Sequence, residues 1–241
     1  RVFIEGPYVD TYYQSERERA LVIGVNCQRA AATCFCTSMN TGPQIDKGSD
    51  LLLTEFCDAT EHFFALRADS DRGRSLLSKL DLQGFEQGIE EKVAQQGKNT
   101  SEQMKRHLPT EKLKDLLEQG RESKIWEDVA QRCLSCANCT LVCPTCFCST
   151  VEDVTDLSGE HAERWKKWDS CFNSDFSYIS GGSVRSSTAS RYRQWLTHKL
   201  AGWQDQFGSS GCVGCGRCIS WCPVGIDLTE EIQHFEEEID R

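Results

Sequence analysis

The spacing of apolar positions divides the chain into three stretches. Over residues 1–82, short apolar runs of strand length alternate with turn residues. Residues 20–25, 51–56 and 62–66 are each expected to form a strand, with Thr41-Gly42-Pro43 and Asp46-Lys47-Gly48-Ser49 as punctuation. This part reads as mixed α/β. Residues 83–122 become charged and helical. Helices are expected at 86–96 and 110–119, the second opened by Pro109, closed by Gly120 and carrying Leu113, Leu116 and Leu117 on one face. Gly97, Lys98 and Asn99 are expected to break the stretch between them, and no heptad persists. Beyond that, helices are expected at 124–132 behind Ser123 as N-cap, at 160–169, at 189–200 and at 228–240. Residues 180–183 read as a loop, and no long β-alternation is visible in this part. The expected fold class is therefore α+β: an α/β domain over 1–82, a helical connector over 83–122, and a helix-rich domain over 123–241.

Charge and composition narrow the functional classes. The 241 residues hold 27 Lys and Arg against 37 Asp and Glu, a net charge of −10. Such a surface argues against non-specific binding to nucleic acid or to an anionic membrane. No apolar run approaches the roughly 18 residues of a membrane span. No signal peptide is visible, and the chain opens at Arg1 without Met, so a longer natural N-terminus is expected. A cytoplasmic location is the expectation.

Cysteine changes the picture most. There are 15, an odd number, and eleven lie in residues 121–241, mostly two or three residues apart. A disulfide scaffold would be shorter and denser in cysteine, so tight clusters point to metal chelation. Cys133, Cys136, Cys139 and Cys143 precede Pro144. Cys212, Cys215, Cys218 and Cys222 precede Pro223. Both runs fit the C-x2-C-x2-C-x3-C-P pattern of a bacterial [4Fe–4S] ferredoxin. Three thiolates two residues apart reach three corners of one cube, and the fourth serves the other cluster. One cluster is thus assigned Cys133, Cys136, Cys139 and Cys222, and the other Cys212, Cys215, Cys218 and Cys143. Gly214 and Gly216 relieve crowding and free backbone N–H groups for the sulfurs. Zinc prefers two well-separated pairs of ligands, often with histidine, and two compact four-cysteine runs suit it poorly. The runs are separated by 68 residues, 144–211. A long helical insert of this kind resembles the α-helical ferredoxin domain of succinate dehydrogenase-type iron–sulfur subunits.

The other cysteines are less decisive. Cys27, Cys34 and Cys36 follow the first expected strand and could hold a third [4Fe–4S] cluster, with Cys171 as fourth ligand and Cys148 or Cys146 as alternatives. The competing reading is reduced, buried thiols. Cys57 reads as structural. Trp165, Trp168 and Trp221 lie near the runs in sequence and are candidates for keeping water from the cubes, although core packing is the ordinary role of tryptophan. The chain has no G-x-G-x-x-G after a strand, no Walker A sequence, no G-x-S-x-G and no paired metal-binding histidines. No catalytic residue is assigned.

Residues 131–228, with Cys143-Pro144-Thr145-Cys146-Phe147-Cys148, Trp168 to Phe172, Asp175 to Tyr178 and the second run, resemble a dicluster family. Its members are β subunits of soluble sulfhydrogenase-type [NiFe] hydrogenases and A subunits of anaerobic sulfite reductase. Gly24 to Cys27, and Thr33 to Cys36 through Met39, Gly42 and Pro43, extend the resemblance upstream. It implies a subunit that relays single electrons between a flavoprotein partner, with FAD and NAD(P)H, and a catalytic redox subunit. The hydrogenase is the first expectation, with the sulfite reductase or another redox complex as alternative. A reading of a different class is an enzyme whose extra cluster has an open iron.

Overall fold

The computed structural model describes residues 2–84 and 87–239. Two units divide between Lys105 and Arg106, within the stretch expected to be a connector.

The N-terminal unit is built on three strands. β1 (Ile23–Val25) runs parallel to β2 (Leu51–Cys57), which pairs antiparallel with β3 (His62–Ala68) in the order β1-β2-β3. These fall on the three expected strands, although the first shrinks to its last three residues. Leu51 and Leu52 are both buried, one on each face of β2. Asn26 follows β1 and is buried, but its amide is satisfied on both sides: Nδ2 donates to Thr54 Oγ1 at 2.9 Å, and Oδ1 accepts from the Ile45 amide at 2.9 Å. α1 (Thr11–Arg19) and α2 (Asp71–Leu77) flank the strands in sequence.

α3 (Ile89–Glu102) corrects two expectations. It starts later than residue 86, which lies outside the described residues, and it runs straight through the expected break at 97–99. Gly97 serves close approach: a Cβ there would lie 2.3 Å from the Gln44 side chain, whose Nε2 donates to Val93 O at 2.7 Å. Thr100 is fully buried, with its hydroxyl 3.1 Å from Cys27 O and 2.9 Å from Gln28 O.

Helices are the main regular elements of the C-terminal unit. α4 (Leu113–Gln119) buries Leu113, Leu116 and Leu117, the face expected from sequence. α5 (Ile125–Arg132) follows, with Ser123 Oγ accepting from the Ile125 amide at 3.0 Å. α6 (Asn138–Leu141), α7 (Thr188–Thr197), α8 (Trp203–Phe207), α9 (Arg217–Ser220) and α10 (Leu228–Ile239) complete the set. The helix expected at 189–200 ends as a wide π turn, His198–Gly202. The core joins α5, α7 and α10: Trp126 packs on Phe235 at 4.6 Å between ring centroids, and Tyr192 on Trp195 at 5.4 Å.

The helix expected at 160–169 is a strand. β4 (Ser149–Thr155) and β5 (Ala162–Trp168) form an antiparallel hairpin. Asp156 closes its turn, accepting from the Gly159 amide at 2.7 Å, where φ is +71°. Every residue of β5 is exposed, so no buried face imprints alternation on the sequence. Paired charges, including Arg164 Nε to Asp153 at 2.8 Å, line the ribbon instead. The expected loop at 180–183 contains the turn of a short ladder, β6 (Tyr178–Ile179) with β7 (Gly182–Ser183).

Candidate metal centre

The two cysteine runs fold alike. Cys133 ends α5, and Cys212 follows the loop after α8. Two residues on, a backbone amide turns back to each sulfur: Ser135 N donates to Cys133 Sγ at 3.4 Å, and Gly214 N to Cys212 Sγ at 3.4 Å. The same two positions after each first cysteine have positive φ: Ser135 (+50°) and Ala137 (+64°) in one run, Gly214 (+63°) and Gly216 (+67°) in the other. Glycine takes this conformation freely, whereas Ser135 and Ala137 each cost about 1–2 kcal/mol there. A short helix then carries the third cysteine, Cys139 on α6 and Cys218 on α9.

Cysteines of both runs meet at one cavity. Cys133, Cys136 and Cys139 line one cavity of about 40 Å³ together with Cys222 from the second run, and Cys218 also reaches it. Phe172, Tyr192 and Trp195 form apolar walls. Burial, then the neighbouring Cys222 and Cys136, push the Cys133 thiol up. Cys139 is raised further by burial and by Cys218, Cys133, Cys136 and Cys222. Cys143 of the first run stands among the thiols of the second: it raises both Cys212 and Cys218, which burial has already pushed up, to about 11 and about 12. Buried thiols of this kind resist ionisation unless iron or another cation compensates the thiolates.

Cys143 is the exception. A hydrogen bond from the Cys146 thiol, then the charge of Lys199, then Thr145 hold it well down, while Cys146 is raised by the same hydrogen bond. Lys199 is itself buried. Burial opposes its charge, but Cys146 and Cys143 outweigh that and raise it.

The residues fit a [4Fe–4S] group. The donors are all thiols, the walls are apolar, and backbone amides point at the sulfurs. Among the described residues, no three Cys, His, Asp or Glu side chains close around one point as the ligands of a single ion would. Cys133, Cys136, Cys139, Cys218 and Cys222 instead line a cavity.

The remaining cysteines separate into two groups. Cys27 lies beside Cys34, Cys36 Sγ donates to Met104 Sδ at 3.7 Å, and buried Phe35 anchors the loop between them. Cys171 is buried and its thiol donates a hydrogen bond to Cys148, which holds the Cys148 thiol down, with Cys146 close by. Cys57 is exposed at the end of β2, so it is no core thiol. Trp165, Trp168 and Trp221 are 51%, 71% and 62% exposed, so the aromatic wall is made by other residues, Tyr192 and Trp195 of α7 with Phe172. Sequence reasoning missed that wall and Lys199. Only the apolar face of α7 could have signalled the wall.

Residues 132–226 match the family model described as a 4Fe-4S dicluster domain. Two ferredoxin-type runs folded against each other in a helical unit thus define the class: an iron–sulfur protein that binds [4Fe–4S] clusters. Over a 248-residue alignment the chain is 32% identical to sulfhydrogenase 2 subunit beta of Pyrococcus furiosus, covering 98% of this chain and 69% of that protein. The chain belongs to the family of these hydrogenase β subunits. No solved structure matches it. Among the described residues, no helix is long and apolar enough to cross a membrane.

Proposed function

We propose that the chain relays single electrons within a hetero-oligomeric, hydrogenase-type complex, between a flavoprotein subunit that handles NAD(P)H and a catalytic [NiFe] subunit. Two cubes carry the relay, one on Cys133, Cys136, Cys139 and Cys222, the other on Cys212, Cys215, Cys218 and Cys143. The cubes, when bound, take up and release one electron at a time. The chain's own part is to hold the thiolates, to exclude water with Phe172, Tyr192 and Trp195, and to direct N–H groups at the sulfurs. The observation that carries this reading is that Cys222 of the second run lines the cavity of the first-run cysteines, while Cys143 of the first run acts on Cys212 and Cys218. Cys218 also raises Cys139 and lines the same cavity, so the two sites are neighbours, as a relay requires. A third cube on Cys27, Cys34 and Cys36 would add a station.

The test is anaerobic isolation of the chain with its natural partners. A flavoprotein and a [NiFe] subunit should copurify, and NAD(P)H should reduce the cubes only when the flavoprotein is present. A chain that purifies alone and by itself oxidises hydrogen, or reduces protons or sulfur substrates, would contradict the relay. Copurification with a sulfite-reducing subunit would replace the hydrogenase assignment.

A further inference from the structure

The two halves of the site repeat each other closely, except at their exchanged cysteines. Cys222 Sγ accepts a backbone amide, from Ile226 at 3.3 Å. Cys143 Sγ, besides its bonds from Thr145, meets a buried ammonium, Lys199 Nζ at 3.2 Å. Lys199 spends its remaining N–H groups on Thr145 Oγ1 at 3.2 Å and Gly211 O at 3.1 Å. A lysine has three donors, and all three are used. The Thr145 hydroxyl donates its own proton to Gly211 O at 2.5 Å. Beside the hydrogen bonds from Cys146 and Thr145, Lys199 is thus the charged donor to Cys143.

The fold commits to this placement. Lys199 sits in the π turn His198–Gly202, a helix irregularity of the kind often found at functional sites. Gly211 N donates back to Lys199 O at 2.8 Å, which ties the turn to the residue preceding Cys212. Lys199 is 5% exposed, and among the described residues no carboxylate pairs with it. An isolated buried ammonium is costly, so the site must supply its counter-charge. A thiolate-bound cube is an anion that gains more negative charge on reduction, and net charge and hydrogen bonds to sulfur set its potential.

We propose that Lys199 is a positioning residue that acts through Cys143 to make the cube on Cys212, Cys215, Cys218 and Cys143 the more easily reduced of the pair. The relay then has a built-in direction, with the electron resting on the second-run cube. This rests on the exchanged ligands proposed above.

The experiment is an EPR-monitored redox titration of the full chain, comparing the wild type with Lys199→Met, Lys199→Gln and Lys199→Arg. Cys133→Ser identifies the signal of the first-run cube. In both neutral variants, the oxidised-to-reduced ratio of the other cube at a fixed potential should rise at least tenfold, a fall of about 59 mV for one electron. The first-run cube should stay where it is, and Lys199→Arg should restore most of the shift. Equal shifts in both cubes, or none, would overturn the role of Lys199 while leaving the ligand exchange standing. A shift in the cube that Cys133→Ser alters would mean the ligands are not exchanged, and the proposal falls with them. Loss of iron from both neutral variants but not from Lys199→Arg would make Lys199 an assembly residue and refute tuning.

Discussion

Replacing Asp227 should loosen the metal-binding unit without touching a ligand. Asp227 immediately precedes α10 and is almost fully buried. It accepts from Arg106 Nε at 2.6 Å, from the Thr229 amide at 2.9 Å and from Thr229 Oγ1 at 2.6 Å. The first bond is a charged pair, and the other two cap the helix. Losing a cap costs about 1 kcal/mol. Removing one partner of a buried pair costs about 3–5 kcal/mol, but Arg106 is 29% exposed and keeps part of its hydration, which cuts that figure to about 1–3 kcal/mol. Asp227→Ala should therefore lose roughly 2–4 kcal/mol. Asp227→Asn keeps the cap acceptor and should lose about half as much. The damage passes to Leu228, Ile232 and Phe235, which fix α10 in the core. Anaerobic urea unfolding, followed by far-ultraviolet dichroism and cluster absorbance together, gives the change as a shift of midpoint at constant slope. A loss below about 0.5 kcal/mol in the alanine variant, or equal losses in both, would refute the reasoning.

Two further perturbations address the N-terminal unit and the cluster inventory. The Asp50 carboxylate accepts from the Val22 amide at 2.8 Å and from Ser70 Oγ at 2.7 Å, and these bonds hold it below its ordinary value of 3.8. Its stabilisation is thus complete above pH 3.8 and lost as pH falls through the lower native value. Asp50→Asn should be less stable than the wild type at neutral pH, and the gap should close in acid. A gap that stays constant down to full protonation would contradict this sign. For the inventory, iron and sulfide analysis of the triple Cys27, Cys34 and Cys36→Ser chain beside the wild type counts the stations. Two cubes need about eight irons and a third raises the total to about twelve. A fall of about four irons in the triple variant would establish the third cube, and equal counts near eight would exclude it.

The parts legible in the sequence were those where chemistry or burial imposes a spacing. Cys133 to Cys143 and Cys212 to Cys222 keep an interval that a cube requires whatever surrounds it. Leu113, Leu116 and Leu117 reported α4 because one face of that helix is buried. Residues 160–169, which hold β5, read as a helix because an exposed strand has no buried face, so its charges carry no period tied to a core. Gly97 misled in the other direction. Its presence reflects the Gln44 side chain packed against α3, a long-range contact, where local propensity suggested a break. Lys199 was silent for a similar reason: within a helical stretch it looks like any surface lysine. Only the wide turn after α7 and the approach of Gly211 make it a buried partner of Cys143.

The exchange of ligands between the two runs is the central claim, and one comparison tests it most directly. EPR spectra of the reduced full chain should be recorded for Cys222→Ser, Cys133→Ser and Cys212→Ser. Although Cys222 lies in the second run, Cys222→Ser should alter the same cube as Cys133→Ser and leave untouched the cube that Cys212→Ser alters. If Cys222→Ser and Cys212→Ser perturb the same cube, each run holds its own cluster and the account is wrong.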